Sequence, residues 1–297
     1  MIKRAFFIFS LLAALFLLAL PAFAGQVRSA AFMVGQAEYI VDDVMPVRTD
    51  AVPFVEQGRV FVPLRYLARA LGVADEKVTW EPETKKITVV CPCGSTLELA
   101  VGSKAMSING QPREMDVAPV TRDGRTYLPA RYVAEALGYE VGWDDANQLV
   151  YCWPKGGTKP DVSRAVELFK DWVWLDNGFK IPDPDGRLAY RDSWMRDYLF
   201  KTHAGLHITR YPGNVYFRIS IATLDYKWRP GSEEGYRQAE VILASRFGKE
   251  FAREVMAFAE QKKYVKDNFG EKEFRTKDEK RLVVLARFTP TVDIIVI

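Results

Sequence analysis

The residues best suited to chemistry by type and spacing are three cysteines, Cys91, Cys93 and Cys152, and the pair His203-Ala-Gly-Leu-His207. Cys91-Pro-Cys93 has the look of half a soft-metal site. Only two thiols are adjacent, however, neither histidine is near in sequence, and a structural zinc site wants four ligands at recognisable spacing. Two His four apart would share one face of a helix and could hold zinc, but Gly205 lies between them, a β-like run follows, and the Glu of a His-Glu-x-x-His motif is missing. Two surface histidines are the plainer reading. Asp183-Pro-Asp185-Gly186 opens like a calcium loop and lacks the later ligands, so it reads as a turn. Asp192, Asp197, Asp225, Glu233 and Glu234 supply carboxylates for acid/base work at no diagnostic spacing, and caps and turns account for most of them. No phosphate loop, Gly-x-Ser-x-Gly elbow or Cys/His nucleophile pattern occurs. No catalytic residue, metal ligand or cofactor is assigned. Aromatic rings crowd the second half: Trp172, Trp174, Trp194 and Trp228 lie among several Tyr. Burial is the default for such rings. Trp172, Trp174 and Trp228 are the places where one exposed ring could stack on a sugar of a cell-wall glycan.

The elements that must position these residues begin with a repeat. Gly58-Arg-Val-Phe-Val-Pro-Leu-Arg-Tyr-Leu-Ala-Arg-Ala-Leu-Gly72 returns 66 residues on as Gly124-Arg-Thr-Tyr-Leu-Pro-Ala-Arg-Tyr-Val-Ala-Glu-Ala-Leu-Gly138. Each copy reads as a turn Gly, a short apolar strand, a Pro fitting a helix start, about two helical turns, and a terminating Gly. Leu64, Leu67, Ala68 and Leu71 form one apolar face; Val133, Ala136 and Leu137 repeat it. Trp80 and Trp143 follow the helices, each seven residues before a closing strand through Ile87 or Val150, while Met33-Val-Gly-Gln and Ala100-Val-Gly-Ser open the units. The units run 33–90 and 100–153. Arg65 and Arg131 recur at one position, where an Arg anchoring strand to helix explains both.

Asp116-Val-Ala-Pro, Asp123-Gly-Arg-Thr-Tyr-Leu-Pro-Ala-Arg-Tyr-Val-Ala-Glu-Ala-Leu-Gly138 and then Trp143-Asp closely resemble the copper amine oxidase N-terminal-like domain, common in exported bacterial proteins. The second copy is nearer the pattern; the first has Val41-Asp-Asp where the second keeps an Asn109-Gly110 turn. The resemblance covers a little under half the chain. It implies small antiparallel sheets wrapped on a helix and a stalk or surface-binding role. It does not imply amine oxidation, whose chemistry in that family belongs to a separate, larger domain.

Residues 1–24 read as a cleaved signal peptide: Lys3 and Arg4, an apolar run from Ala5 to Leu20, and Ala22-Phe-Ala24 before Gly25. No second apolar span follows, so the mature chain is expected outside the cytoplasm, secreted or envelope-associated, with no transmembrane span. Taking Lys3 and Arg4 from the 41 basic residues leaves 39 against 38 acidic ones, interspersed, which argues against nucleic acid and a polybasic membrane patch. In an exported protein, an odd cysteine count suggests one bridge and one spare thiol. Because equivalent strands of packed repeats lie close, the expected disulfide joins Cys152 to Cys91 or Cys93.

Lys155-Gly-Gly-Thr-Lys-Pro160 is a polar connector (154–160), after which the periodicity changes. A helix is expected from Asp161 to about Gly178, a hairpin through Leu206–Ile208 and Val215–Ile221, two helices split by Gly248, a polar loop over 270–280, and two closing strands. The fold class is α+β: two tandem antiparallel-sheet-plus-helix repeats, then a separate α+β domain over 161–297. The expected function is that of an exported, non-catalytic cell-envelope protein. Its tandem module binds or presents at the surface, with a wall glycan or another envelope component as partner. The alternative is a secreted cell-wall hydrolase with its active site in 161–297.

Overall fold

The structure, a computed structural model, describes residues 28–175, 178–182, 190–191, 197–201, 206–211, 216–225, 233–277, 281–287, 289 and 291–297. The first repeat supplies β1 (Ala30–Met33), β2 (Glu38–Val41), β3 (Met45–Arg48), β4 (Phe54–Glu56), β5 (Arg59–Pro63), α1 (Leu64–Ala70), β6 (Val78–Glu81) and β7 (Lys86–Val90). The second supplies β8 (Thr96–Ala100), β9 (Ala105–Ile108), β10 (Gln111–Glu114), β11 (Val120–Arg122), β12 (Arg125–Pro129), α2 (Ala130–Ala136), β13 (Tyr139–Asp144) and β14 (Leu149–Pro154). Pro63 and Pro129 precede the helices, where their fixed φ suits a helix entry, and Gly72 and Gly138 end them at φ +81° and +85°, a conformation that penalises a Cβ. The expected apolar faces are buried on both helices. In the first unit Asp42 and Asp43 take left-handed conformations like those of Asn109 and Gly110, so the tight turn survives its change of sequence.

The repeats do not fold side by side. Strand order is β13-β14-β1-β2-β3 in one sheet and β10-β9-β8-β7-β6 in another, so each unit's opening strands are completed by the other's closing hairpin. Leu149 pairs with Met33 and Cys152 with Ala30; at the equivalent positions Lys86 pairs with Ala100 and Val89 with Leu97. A third sheet, β11-β12-β5-β4, joins the halves through Phe61↔Pro129, Val62↔Leu128 and Pro63↔Tyr127. That register maps onto itself when the repeats are exchanged. A pseudo-twofold axis therefore passes by Val62 and Leu128, both fully buried. Exchange turns two marginal three-stranded pieces into five-stranded sheets over one shared core. Polar contacts obey the same symmetry: Arg59 pairs with Asp116 and Arg125 with Asp50, while Tyr66 donates to Asp50 (2.6 Å) and Tyr132 accepts from the Asp116 N–H (3.2 Å). These arginines tie the units together; Arg65 and Arg131, the expected anchors, are exposed.

The second half begins with α3 (Ser163–Lys170), then β15 (Trp172–Trp174) paired with β16 (Lys180–Pro182). The expected helix to Gly178 thus stops early: Trp172-Val-Trp174 favours an extended chain and finds a partner strand. The large sheet has the order β17 (Tyr190–Arg191), β18 (Asp197–Lys201), β19 (Leu206–Tyr211), β20 (Tyr216–Ala222), β23 (Thr291–Val296), β22 (Arg281–Ala286), β21 (Gly270–Arg275), all antiparallel. Strand β21 occupies much of the expected 270–280 loop. It is an edge strand with only Phe274 buried, and its Glu and Lys are what exposed edges carry. Gly248 (φ +86°) separates α4 (Glu233–Phe247) from α5 (Lys249–Ala259) as expected. Helix α4 packs on β3, β16 and β20 and buries residues around its circumference. One apolar core consequently runs from Met33, Ile40 and Tyr151 of the tandem module to Phe217, Ile242 and Val284 of the second half. Within it Lys180 Nζ meets both Glu38 oxygens at 2.5 Å, and burial pulls the ammonium below its usual range against the pull of Glu38. Among the described residues no helix is long and apolar enough to cross a membrane.

Candidate functional site

Cys91 and Cys93 are bridged to each other, and Cys152 is a free, buried thiol. This corrects the expected pairing with Cys152. The equivalent strands β7 and β14 belong to different sheets, and Cys152 sits within β14 between Ala30 and Val141. Desolvation pushes its thiol up to about 12. The observed bridge closes only three residues, so loop-closure entropy contributes about 1.6 kcal/mol, against about 4 kcal/mol for a bridge from Cys91 to Cys152. Fold stabilisation is therefore a weak reason for this bridge. It lies on a cleft of about 690 Å³ with Arg28, Tyr39, Arg69, Val73, Leu137 and Tyr139.

The three aromatic candidates of the second half divide differently. Trp172 is 3% exposed, donates to Glu167 (3.2 Å) and lies under Arg164, so it offers no platform. In β15 it shares strand spacing with Trp174, which is half-buried, donates to Glu38 (2.7 Å) and has Arg48 and Lys180 each 5.7 Å from its ring centre. Trp174 is a strut of the interface between the halves. Trp228, His203, Asp183, Asp185 and Asp192 lie outside the described residues. His207 falls on a strand, β19, which removes the helical i, i+4 geometry. Asp225 caps the Val265 N–H (2.8 Å), Glu233 holds Lys263 and Glu234 holds Arg164 and Arg237, all structural contacts.

The exposed aromatic platforms lie in the repeats. Trp80 is 41% exposed and Trp143 36%, at the same repeat position. Strand β13 alternates: Tyr139 and Val141 point at the core, and Trp143 continues that face beyond it. Its neighbour Gly142 is opposite Tyr151, whose ring fills the place a Cβ would take, only 2.2 Å away. Trp143 thus stands at the wall of a cleft of about 340 Å³ with Val55, Arg59, Arg131, Asp145 and Gln148. Asp145 accepts from the indole N–H (3.2 Å) and from the Gln148 amide (3.3 Å), which fixes both donors in orientation. Arg131 makes no ion pair with a described residue. A flat apolar ring, a carboxylate, an amide and an unpaired guanidinium around one sugar-sized space can stack on a pyranose face and hydrogen-bond its hydroxyls. Around Trp80 the equivalents of Asp145 and Gln148 are Pro82 and Lys85, so that polar set is missing. The discriminating signal was the divergence of the repeats around a shared Trp.

Copper appears in the name of the resembled family. Among the described residues no three of His, Cys, Asp or Glu gather as a ligand set, and Cys91 and Cys93 are committed to their bridge, so these residues do not fit a copper site. No curated protein matches the chain. One family model matches: residues 41–152, from the end of β2 into β14, are similar to the copper amine oxidase N-terminal domain.

Proposed function

We propose that the chain is an exported, non-catalytic cell-envelope protein that binds wall glycan through the Trp143 cleft. The observation that carries this reading is the exposed indole with Asp145, Gln148 and Arg131 arranged around a space of about 340 Å³. The apolar leader of residues 1–24 and the near-neutral remainder support export; the domain over 41–152 supports a surface role. The second half braces the module, since it shares a core with the β13-β14-β1-β2-β3 sheet.

The test is retention of the full chain on purified peptidoglycan sacculi, with the supernatant analysed by mass spectrometry. Wild type is expected to be retained without releasing fragments, and Trp143→Ala to be retained at least about ten-fold less, the scale of one lost stacking contact. Trp80→Ala should leave retention unchanged. Defined fragments in the supernatant would replace this reading with the hydrolase one. Equal retention of wild type and Trp143→Ala would remove the cleft from the account.

A further inference from the structure

Away from the Trp143 cleft, the Cys91–Cys93 bridge has the layout of an exchange centre. Both cysteines line the cleft, but Cys93 is exposed while Cys91 is 7% exposed, so an incoming thiolate meets the Cys93 side of the bridge first. The Cys93 backbone N–H donates to Cys91 Sγ (3.2 Å), placing a donor on the sulfur that would leave as thiolate. Arg28 and Arg69 line the same cleft together with Asp75, which holds Arg69 (2.6 Å); a cationic neighbour favours thiolate over thiol. Its walls are turns and apolar side chains, Leu71, Val73 and Leu137, with a volume of about 690 Å³ that admits several residues of extended peptide.

We propose that Cys91–Cys93 is a thiol–disulfide exchange centre that oxidises two-cysteine peptides entering this cleft. A substrate thiolate attacks Cys93 Sγ; the S–S bond breaks, Cys91 leaves as thiolate, and a mixed disulfide joins Cys93 to the substrate. The second substrate thiolate attacks the substrate sulfur of that bond and releases Cys93. The two electrons of the substrate dithiol reside on Cys91 and Cys93, which take up its two protons through solvent, and the substrate departs as a disulfide. A low-molecular-weight disulfide, exchanging the same way in reverse, reoxidises the pair. Cys152, fully buried, takes no part.

The full chain is equilibrated in glutathione buffers of stepped reduced-to-oxidised ratio, quenched in acid, unfolded, alkylated and read by mass spectrometry. The Cys91–Cys93 peptide is expected to pass from bridged to doubly alkylated within that range, and Cys152 to carry one alkyl group throughout. A reduced Cys-x-x-Cys peptide, added as probe, should lose two thiols for each bridge opened. With oxidised glutathione, Cys93 in a Cys91→Ser variant should form the mixed disulfide about ten-fold faster than Cys91 in Cys93→Ser. A bridge that stays closed at every ratio would overturn the proposal, as would single variants reacting at equal rates. The titration of the unmutated chain stands even if a variant folds poorly.

Discussion

Asp50 and Asp116 occupy one repeat position and hold the arginine of the opposite unit, Arg125 and Arg59. Both carboxyls sit below the ordinary 3.8, Asp50 first through the Tyr66 hydrogen bond and Asp116 first through the Arg59 one. A depressed folded value means the contribution is present above the unfolded pKa and is lost as pH falls through the folded one. Melting temperature is therefore expected to fall below about pH 4, and Asp50→Asn with Asp116→Asn to flatten that acid limb. An unchanged acid limb would mean these exposed pairs add nothing. Cys152 makes a second residue-scale case. With its thiol pushed up to about 12 and fully buried, iodoacetamide at about pH 8 should leave it unlabelled until the chain is unfolded. Labelling of the folded chain at the rate of a free thiol would contradict the burial.

At the scale of elements, the β13–β14 hairpin carries the Trp143 cleft on one face and the core shared with the second half on the other. Gly142→Ala would drive a Cβ into the Tyr151 ring, which is 5% exposed and packed on Trp153 at 5.5 Å between centres. The expected loss is about 1–3 kcal/mol, read by denaturant unfolding, since the ring has little room to yield. Stability equal to wild type would show that it yields after all. Much at this scale was legible in the sequence. Pro63, Gly72, Pro129 and Gly138 bracket helices whose apolar spacing is unambiguous, and Phe217, Ile219 and Ile221 alternate as a half-buried strand should. Two elements were not. Trp172-Val-Trp174 continues a helical pattern on paper, and only its partner Lys180–Pro182 makes it a strand. Strand β21 is too polar to show a period because one of its edges is unpaired. Trp143 was visible as a repeat marker; its exposure depends on where β13 outruns the core, which no local pattern reports.

The whole molecule differs most from a linear reading of its repeats. Their similarity promised two units in tandem, but the pairing of β14 with β1 and of β7 with β8 makes one intertwined domain, and partner choice of that kind is decided by tertiary packing. It also separates Cys152 from Cys91 and Cys93, which a side-by-side arrangement would have brought together. The second half then buries the outer face of the first sheet, through Ala31, Met33, Ile40 and Tyr151. A core shared in this way should unfold as one unit: full-chain calorimetry is expected to give a single transition, and two well-separated transitions would contradict it. Met33→Asp, which places an unpaired charge in that shared core, should lower this transition rather than split it. Glycan recognition is the central claim for the assembled protein. The most direct measurement is isothermal titration of the full chain and of Trp143→Ala with a β-1,4-linked N-acetylglucosamine tetramer. Saturable binding by wild type is expected, weakened at least about ten-fold in the variant with its melting temperature unchanged. Saturable binding of equal strength by both proteins, or none by either, would contradict it.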